Sequence, residues 1–193
     1  MNSKRRVPTP PLLCKRQVLC CPPLGWFALE WWGRQVAALT LAHPDPQAAI
    51  AALDPTDPPP YPVPPEQEAP SPTLARRLQA YAAGLPDLFH DVPLALEHLP
   101  PFQRAVLLAC RQIPYGQTTR YAQLAAALGK PSAARAVGNA LARNPLPILI
   151  PCHRVIGARG AMSGFSAPGG LATKRQLLAI EARWVSDGRF SLQ

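Results

Sequence analysis

A chain of 193 residues with 48% hydrophobic content holds enough apolar material for one good core, or for one domain with a small companion. No apolar run reaches the ~18 residues that a membrane span needs, and no signal-peptide pattern opens the chain. A soluble intracellular protein is expected, cytoplasmic (nucleoid-associated) or nuclear according to its source, and neither membrane-bound nor secreted.

The net charge of +9 is unevenly spread. Residues 1–94 carry eight Lys or Arg and eight Asp or Glu, whereas residues 95–193 carry twelve basic residues against Glu97, Glu181 and Asp187. A basic surface attracts phosphates regardless of base sequence, so the second half suits a nucleic-acid partner, although an ordinary soluble basic domain would show the same excess. Five cysteines, Cys14, Cys20, Cys21, Cys110 and Cys152, are odd in number, and three crowd the first 21 residues. That pattern favours reduced thiols over a disulfide framework. A zinc set drawn from Cys14, Cys20 or Cys21 with His43 or His90 lacks any paired C-x-x-C and H-x-x-x-H spacing, so no metal is assigned.

In chain order, residues 1–22 have no periodicity and four prolines, and read as a disordered leader. Residues 23–95 read as an N-terminal sheet domain. Within it, Pro23 to Trp32 and Gln35 to Leu41 flank the turn Gly33-Arg34 as a β-hairpin, with Phe27, Leu29 and Trp31 on one face. Asp45-Pro46 starts a short helix through Leu53. From Asp54 to Pro72, nine of nineteen positions are proline, which excludes a helix or central strand and predicts an extended loop or spacer. A helix then runs from Thr73 to Ala83 and stops at Gly84.

Residues 96–185 read as a second, mainly helical domain, with 186–193 as a tail. A helix from Phe102 to about Gln112 carries Cys110 on its apolar stripe. After the turn Pro114–Gln117, Thr118 or Thr119 caps a helix through Leu128. Gly129-Lys130-Pro131 is a break, and Ser132 caps a helix from Ala133 to Arg143. Two short helices about a glycine-containing turn, in a basic domain, fit a helix-turn-helix, although an αα-hairpin without DNA would show the same pattern. The second helix turns Ala134, Val137, Gly138 and Leu141 inward, and Arg135, Asn139 and Arg143 are its only long polar side chains. Small side chains allow close backbone approach but read few base edges, which favours the degenerate minor groove.

The apolar run Pro147-Ile-Leu-Ile150 predicts a buried strand or buried extended segment, and it delivers Cys152 and His153 together. A cysteine attacks as its thiolate, and a neighbouring histidine is a common means of producing one, although the pair taken alone also fits a buried thiol that simply fills space. On the last helix, Thr173 to Trp184, the apolar stripe of Leu177, Leu178 and Trp184 includes Glu181. A carboxylate facing a core needs a partner, and histidine is the natural one.

The segment from Ala133 through Asn144-Pro-Leu-Pro-Ile-Leu-Ile-Pro-Cys-His-Arg-Val155 resembles the active-site region of the O6-alkylguanine-DNA alkyltransferases, also called methylated-DNA–protein-cysteine methyltransferases. The resemblance runs from Pro101 to Glu181, and Pro-Cys-His-Arg-Val is highly specific to that family. It implies an α+β protein: a small N-terminal antiparallel-sheet domain, then a mainly helical domain with a helix-turn-helix and an active-site loop. It also implies irreversible transfer of an alkyl group from O6-alkylguanine in DNA to Cys152, once per molecule, with O4-alkylthymine as a second candidate substrate. The chemistry needs no cofactor and no metal, although some relatives carry an N-terminal structural zinc.

By the same resemblance, His153 lowers the Cys152 pKa through a water, and Glu181 completes the relay. Asn144 braces the turn below the thiol, and Tyr121 bonds the base at N3. Phe165 stacks on the flipped base, the Ser166 backbone donates to O6, and the carbonyls of Cys152 and Val155 accept from the exocyclic amine. Arg135 enters the duplex as an arginine finger, with Ala134, Ala136, Gly138 and Asn139 along the minor groove of double-stranded DNA. A monomer without an obligate protein partner is implied. Three rivals are weaker. A non-repairing lesion binder carries tryptophan in place of Cys152, a helix-turn-helix regulator needs a more polar reading helix, and a cysteine hydrolase has no use for the basic half.

Overall fold

The computed structural model describes residues 14–53 and 72–186. Three antiparallel strands open it in the order β1 (Cys14–Cys20), β2 (Trp26–Trp32) and β3 (Gln35–His43). Strand β1 corrects the expected leader. Val18 pairs with Ala28 and Gln17 with Leu29, so residues 14–20 are a sheet edge. The prolines before this segment hide its short β pattern, and its partner strand supplies the order. Residues 1–13, the proline-rich stretch 54–71 and the tail 187–193 lie outside the described residues.

The hairpin forms as its turn residues predict, and alternation places Phe27, Leu29 and Trp31 in the main core. The opposite face is also covered. Asp45 caps helix α1 (Pro46–Ala51) by accepting from the Ala48 N–H at 2.7 Å, and the chain after Asp45 lays Ala49 and Leu53 against Ala28. Glu30, buried on that sheet, is held by Arg16 at 2.8 Å and by the Trp32 indole at 3.0 Å.

Helix α2 (Pro72–Ala82) buries Leu74, Leu78, Tyr81 and Ala82, an i, i+4, i+7, i+8 stripe. It ends where Gly84 takes φ +100, a conformation that costs glycine nothing. Helix α3 (Pro101–Arg111) buries Val106, Leu107 and Cys110. The strand β4 (Thr119–Arg120) corrects the predicted threonine cap. Thr119 and Arg120 pair in parallel with β5 (Val155–Ile156), so helix α4 (Tyr121–Ala127) starts later. Its cap is the Arg120 N–H donating to Gln123 Oε1 at 2.9 Å.

A turn through Gly129, at φ +70, and a 3-10 turn at Pro131–Ala133 lead into α5 (Ala134–Ala142), completing the helix-turn-helix. Ala140 joins Val137 and Leu141 in the core, while Ala134 and Gly138 are only partly buried. Helix α6 (Leu171–Ser186) closes the chain, with Lys174, Leu177 and Glu181 on its buried face. One continuous apolar cluster runs from Leu19 in the sheet to Ile180 in α6, so the two halves share a core. Among the described residues, no helix is long and apolar enough to cross a membrane.

Candidate active site

Between α5 and β5 the backbone makes a compact buried turn rather than an extended run. The Ile150 N–H donates to the Leu146 carbonyl at 2.8 Å, and Ile148 adopts φ +72. A β-branched residue in the left-handed region is strained and persists only where its surroundings hold it. Asn144 is that hold. Its Nδ2 donates to the Ile150 carbonyl at 2.9 Å, and its Oδ1 accepts from the Leu146 N–H at 3.0 Å. The turn releases the chain into a 3-10 segment, Cys152–Arg154, which sends successive side chains in different directions.

Cys152 is partly buried and lines two cavities. One, about 250 Å³, is bounded by Tyr121, Gly138, Leu141, Gly164, Phe165 and Ser166. The other, about 520 Å³, reaches between Leu39, Leu41 and Leu53 of the N-terminal half and Asn144, Ala167 and Pro168 of the second half. Tyr121 Oη donates to the Ser163 carbonyl at 3.4 Å, tying α4 to the loop that carries Phe165.

His153 and Glu181 are fully buried, 2.8 Å apart from Nε2 to Oε1. Arg154 donates through Nε and Nη2 to Glu181, at 3.0 and 2.9 Å, and through Nη1 to the Ile113 carbonyl at 2.6 Å. The Gly116 N–H reaches Glu181 Oε2 at 3.0 Å. Burial opposes ionisation of Glu181, but the bonds from His153 and Arg154 outweigh it and hold the carboxyl well below its ordinary range. Burial lowers the His153 pKa, and this outweighs the attraction of Glu181, so the ring rests neutral. A carboxylate can only accept, which places the imidazole hydrogen on Nε2. Nδ1 has no hydrogen-bond partner among the described residues.

The expected lowering of the Cys152 pKa meets an opposing effect. Burial pushes the thiol up, and Asn144, Lys174 and the backbone N–H groups of Cys152 and His153 only partly offset it. The resting residue is therefore a thiol, and its proton must be taken before it can attack.

The structure brings Cys152, His153, Glu181, Asn144, Tyr121, Phe165 and Ser166 around one centre. Val155 is near too, but its carbonyl already accepts from the buried Lys174 Nζ at 2.7 Å, which leaves one lone pair for any ligand. Arg135, Ala136 and Asn139 lie on the exposed face of α5, with Ala134 and Gly138 partly covered behind them. Gly138 faces the Tyr121 ring, and a Cβ there would touch it at 3.7 Å, an ordinary packing distance.

Three groups escape a reading of the sequence. Arg154 sits inside the cysteine motif without an assigned role, Lys174 is a lysine on the buried stripe of α6, and Tyr81 lies on the stripe of α2. Lys174 and Tyr81 carried a signal, because a polar head on an apolar stripe must find a partner; Arg154 carried none beyond its place in the motif. Among the described residues, no group of three or more His, Cys, Asp or Glu is placed to hold a metal.

Residues 101–183 match the family model for the 6-O-methylguanine DNA methyltransferase, DNA binding domain. A methylated-DNA–protein-cysteine methyltransferase of Methanosarcina acetivorans is 48% identical over 107 residues, 55% of this chain and 66% of that protein. The constitutive enzyme of Bacillus subtilis is 48% identical over 99 residues, 50% of this chain and 59% of its own length. These matches span less than two thirds of the curated relatives. The fold comparison reaches further. The crystal structure of Mycobacterium tuberculosis OGT in complex with DNA superposes with a TM-score of 0.65 and 33% identity, covering 87% of this chain and 93% of that one. A methyltransferase from Pyrococcus kodakaraensis, at 22% identity and a TM-score of 0.56, shares the fold.

Proposed function

This chain belongs to the 6-O-methylguanine DNA methyltransferase family, and from that premise we propose that it repairs DNA by moving an alkyl group from O6 of guanine onto Cys152. The observation that carries the reading is the thiol at the junction of two cavities, backed by a buried His153–Glu181 pair whose other imidazole nitrogen is bare.

The reaction runs as a single displacement. The thiol proton passes to His153 Nδ1 through a water, and Glu181 stabilises the imidazolium that forms. The sulfur–carbon bond forms as the carbon–O6 bond breaks, and the electron pair leaves with the guanine, where a proton from the relay or Tyr121 restores the neutral base. No oxidant or reductant enters. The product is a thioether, which lacks the hydrolytic route open to a thioester, so each molecule acts once.

The substrate atom lies inside the base stack, so the nucleotide is extruded from double-stranded DNA into the smaller cavity, where Phe165 stacks on it. The exposed small residues of α5 suit the minor groove, and Arg135 fills the space left in the duplex. Asn144 braces the thiol, Tyr121 serves the base at N3, and Ser166 serves O6. The protein works as a monomer in the compartment that holds the DNA.

Incubation with a duplex oligonucleotide containing O6-methylguanine, followed by intact mass, tests this. A stoichiometric gain of one methyl on Cys152, absent in Cys152→Ser, is expected. Bound DNA with unmodified protein, or repeated turnover, would overturn it.

A further inference from the structure

Tyr81 comes from α2, in the N-terminal half, yet its hydroxyl lies inside the relay of the second half. The side chain is fully buried. Its Oη donates to Glu181 Oε1 at 2.6 Å and stands 3.2 Å from His153 Nε2. The ring is clasped between Phe89 and Tyr115, with centroids at 6.0 and 5.8 Å, so the hydroxyl has little freedom to turn away.

A phenol has one hydrogen. Here it is committed to an ionised carboxylate, because Arg154 and the Gly116 N–H hold Glu181 as an acceptor. The lone pairs left on Tyr81 face Nε2, the same nitrogen that faces Glu181. Two acceptors on one side of the ring demand the hydrogen there, and Nδ1 is left without a hydrogen-bond partner among the described residues. Burial and the charge of Glu181 push the Tyr81 phenol well above its ordinary value, so it stays a donor across the working range.

We propose that Tyr81 is a positioning residue of the relay, through which the N-terminal half fixes the imidazole tautomer and orientation that Cys152 requires. The role rests on the reading of Cys152 as the nucleophile. The groups bearing on the titration are Glu181, His153, Arg154 and Tyr115 around Tyr81, with Lys174 and Cys110 bearing on the thiol.

The test uses the full chain as wild type and as Tyr81→Phe, which removes one oxygen and keeps the ring. Nitrogen-15 NMR of the wild-type histidines should find His153 neutral with its hydrogen on Nε2, and a hydrogen on Nδ1 would overturn the proposal even if the variant failed to fold. In Tyr81→Phe, the pH midpoint for alkylation of Cys152 by iodoacetamide, read by intact mass without DNA, should rise. Methyl transfer should slow about tenfold at saturating DNA, the scale of one hydrogen bond lost from a proton relay, with unchanged DNA affinity. A variant that melts earlier but keeps the wild-type midpoint and rate would reduce Tyr81 to a packing residue and sink the idea. A shifted thiol titration in a protein whose wild type transfers no methyl would leave the positioning role standing and remove the repair reading instead.

Discussion

Asn144 holds Ile150 from below Cys152, its side-chain amide 2.9 Å from the Ile150 carbonyl while its own oxygen takes the Leu146 N–H. Between these anchors Ile148 is kept at φ +72. Asn144→Ala removes both bonds and leaves the buried Leu146 N–H unmet, while the Ile150 carbonyl keeps the Cys152 N–H at 2.8 Å, at about 1–3 kcal/mol of stability. The strained turn should relax and displace Cys152, lowering single-turnover transfer by more than about tenfold. Thermal melts and quenched transfer assays check this, and a variant that loses stability but retains the rate would divorce the turn from the chemistry.

Acid should destabilise the protein in two stages. Burial lowers the His153 pKa, so the unfolded chain gains a proton near pH ~6.5 that the folded chain refuses, and stability falls as pH drops below that value. Glu181 is depressed by its bonds to His153 and Arg154, against the effect of burial. Its contribution is complete above the unfolded value near pH ~4.3 and drains away as pH falls from there toward the folded value. Urea melts between pH 3.5 and 8 should show both declines, and Glu181→Gln should reduce the lower one to the part that Asp91, held low by its bond to Arg77, contributes. Stability that is flat or increasing on acidification contradicts the arrangement.

Arg135 stands exposed near the start of α5, outside the cavities that Cys152 lines. If it fills the duplex after extrusion, Arg135→Ala should slow transfer from duplex DNA about a hundredfold, while reaction with free O6-benzylguanine stays within about twofold of wild type. Equal losses on both substrates would mean that the arginine supports the fold instead.

If the larger cavity beside Cys152 receives substituents beyond the first carbon, which project sideways from the line of attack, its walls should set the size of alkyl group that is transferred. Ala167 lines it next to Phe165 and Ser166. Ala167→Phe should depress transfer of a benzyl group at least about tenfold relative to methyl, as expected when a pocket wall is moved inward. Competition between the two oligonucleotides in one tube measures the ratio, and an unchanged ratio would show that this cavity does not receive the alkyl group.

Periodicity and turn chemistry located the hairpin, α1, α2, α3, α5 and α6 to within a few residues, because each is set by neighbours close in the chain. They missed β1, whose order comes from Ala28 and Leu29 across the sheet. They also misread the start of α4, where β5 recruits Thr119 and Arg120. The extended path expected for residues 147–150 became a strained turn because Asn144 binds it at both sides.

By itself the sequence singled out Cys152, the adjacent His153 and the glutamate on a helical stripe as candidates, since motif and spacing are local properties of the chain. It also determined where the positive charge lies. Only the tertiary structure decided that Arg154 completes the buried pair, that burial raises the thiol, and that Tyr81 reaches the relay from one hundred residues before Glu181. Hydrogen bonds and desolvation depend on which atoms meet in space, and nothing local to a segment specifies that.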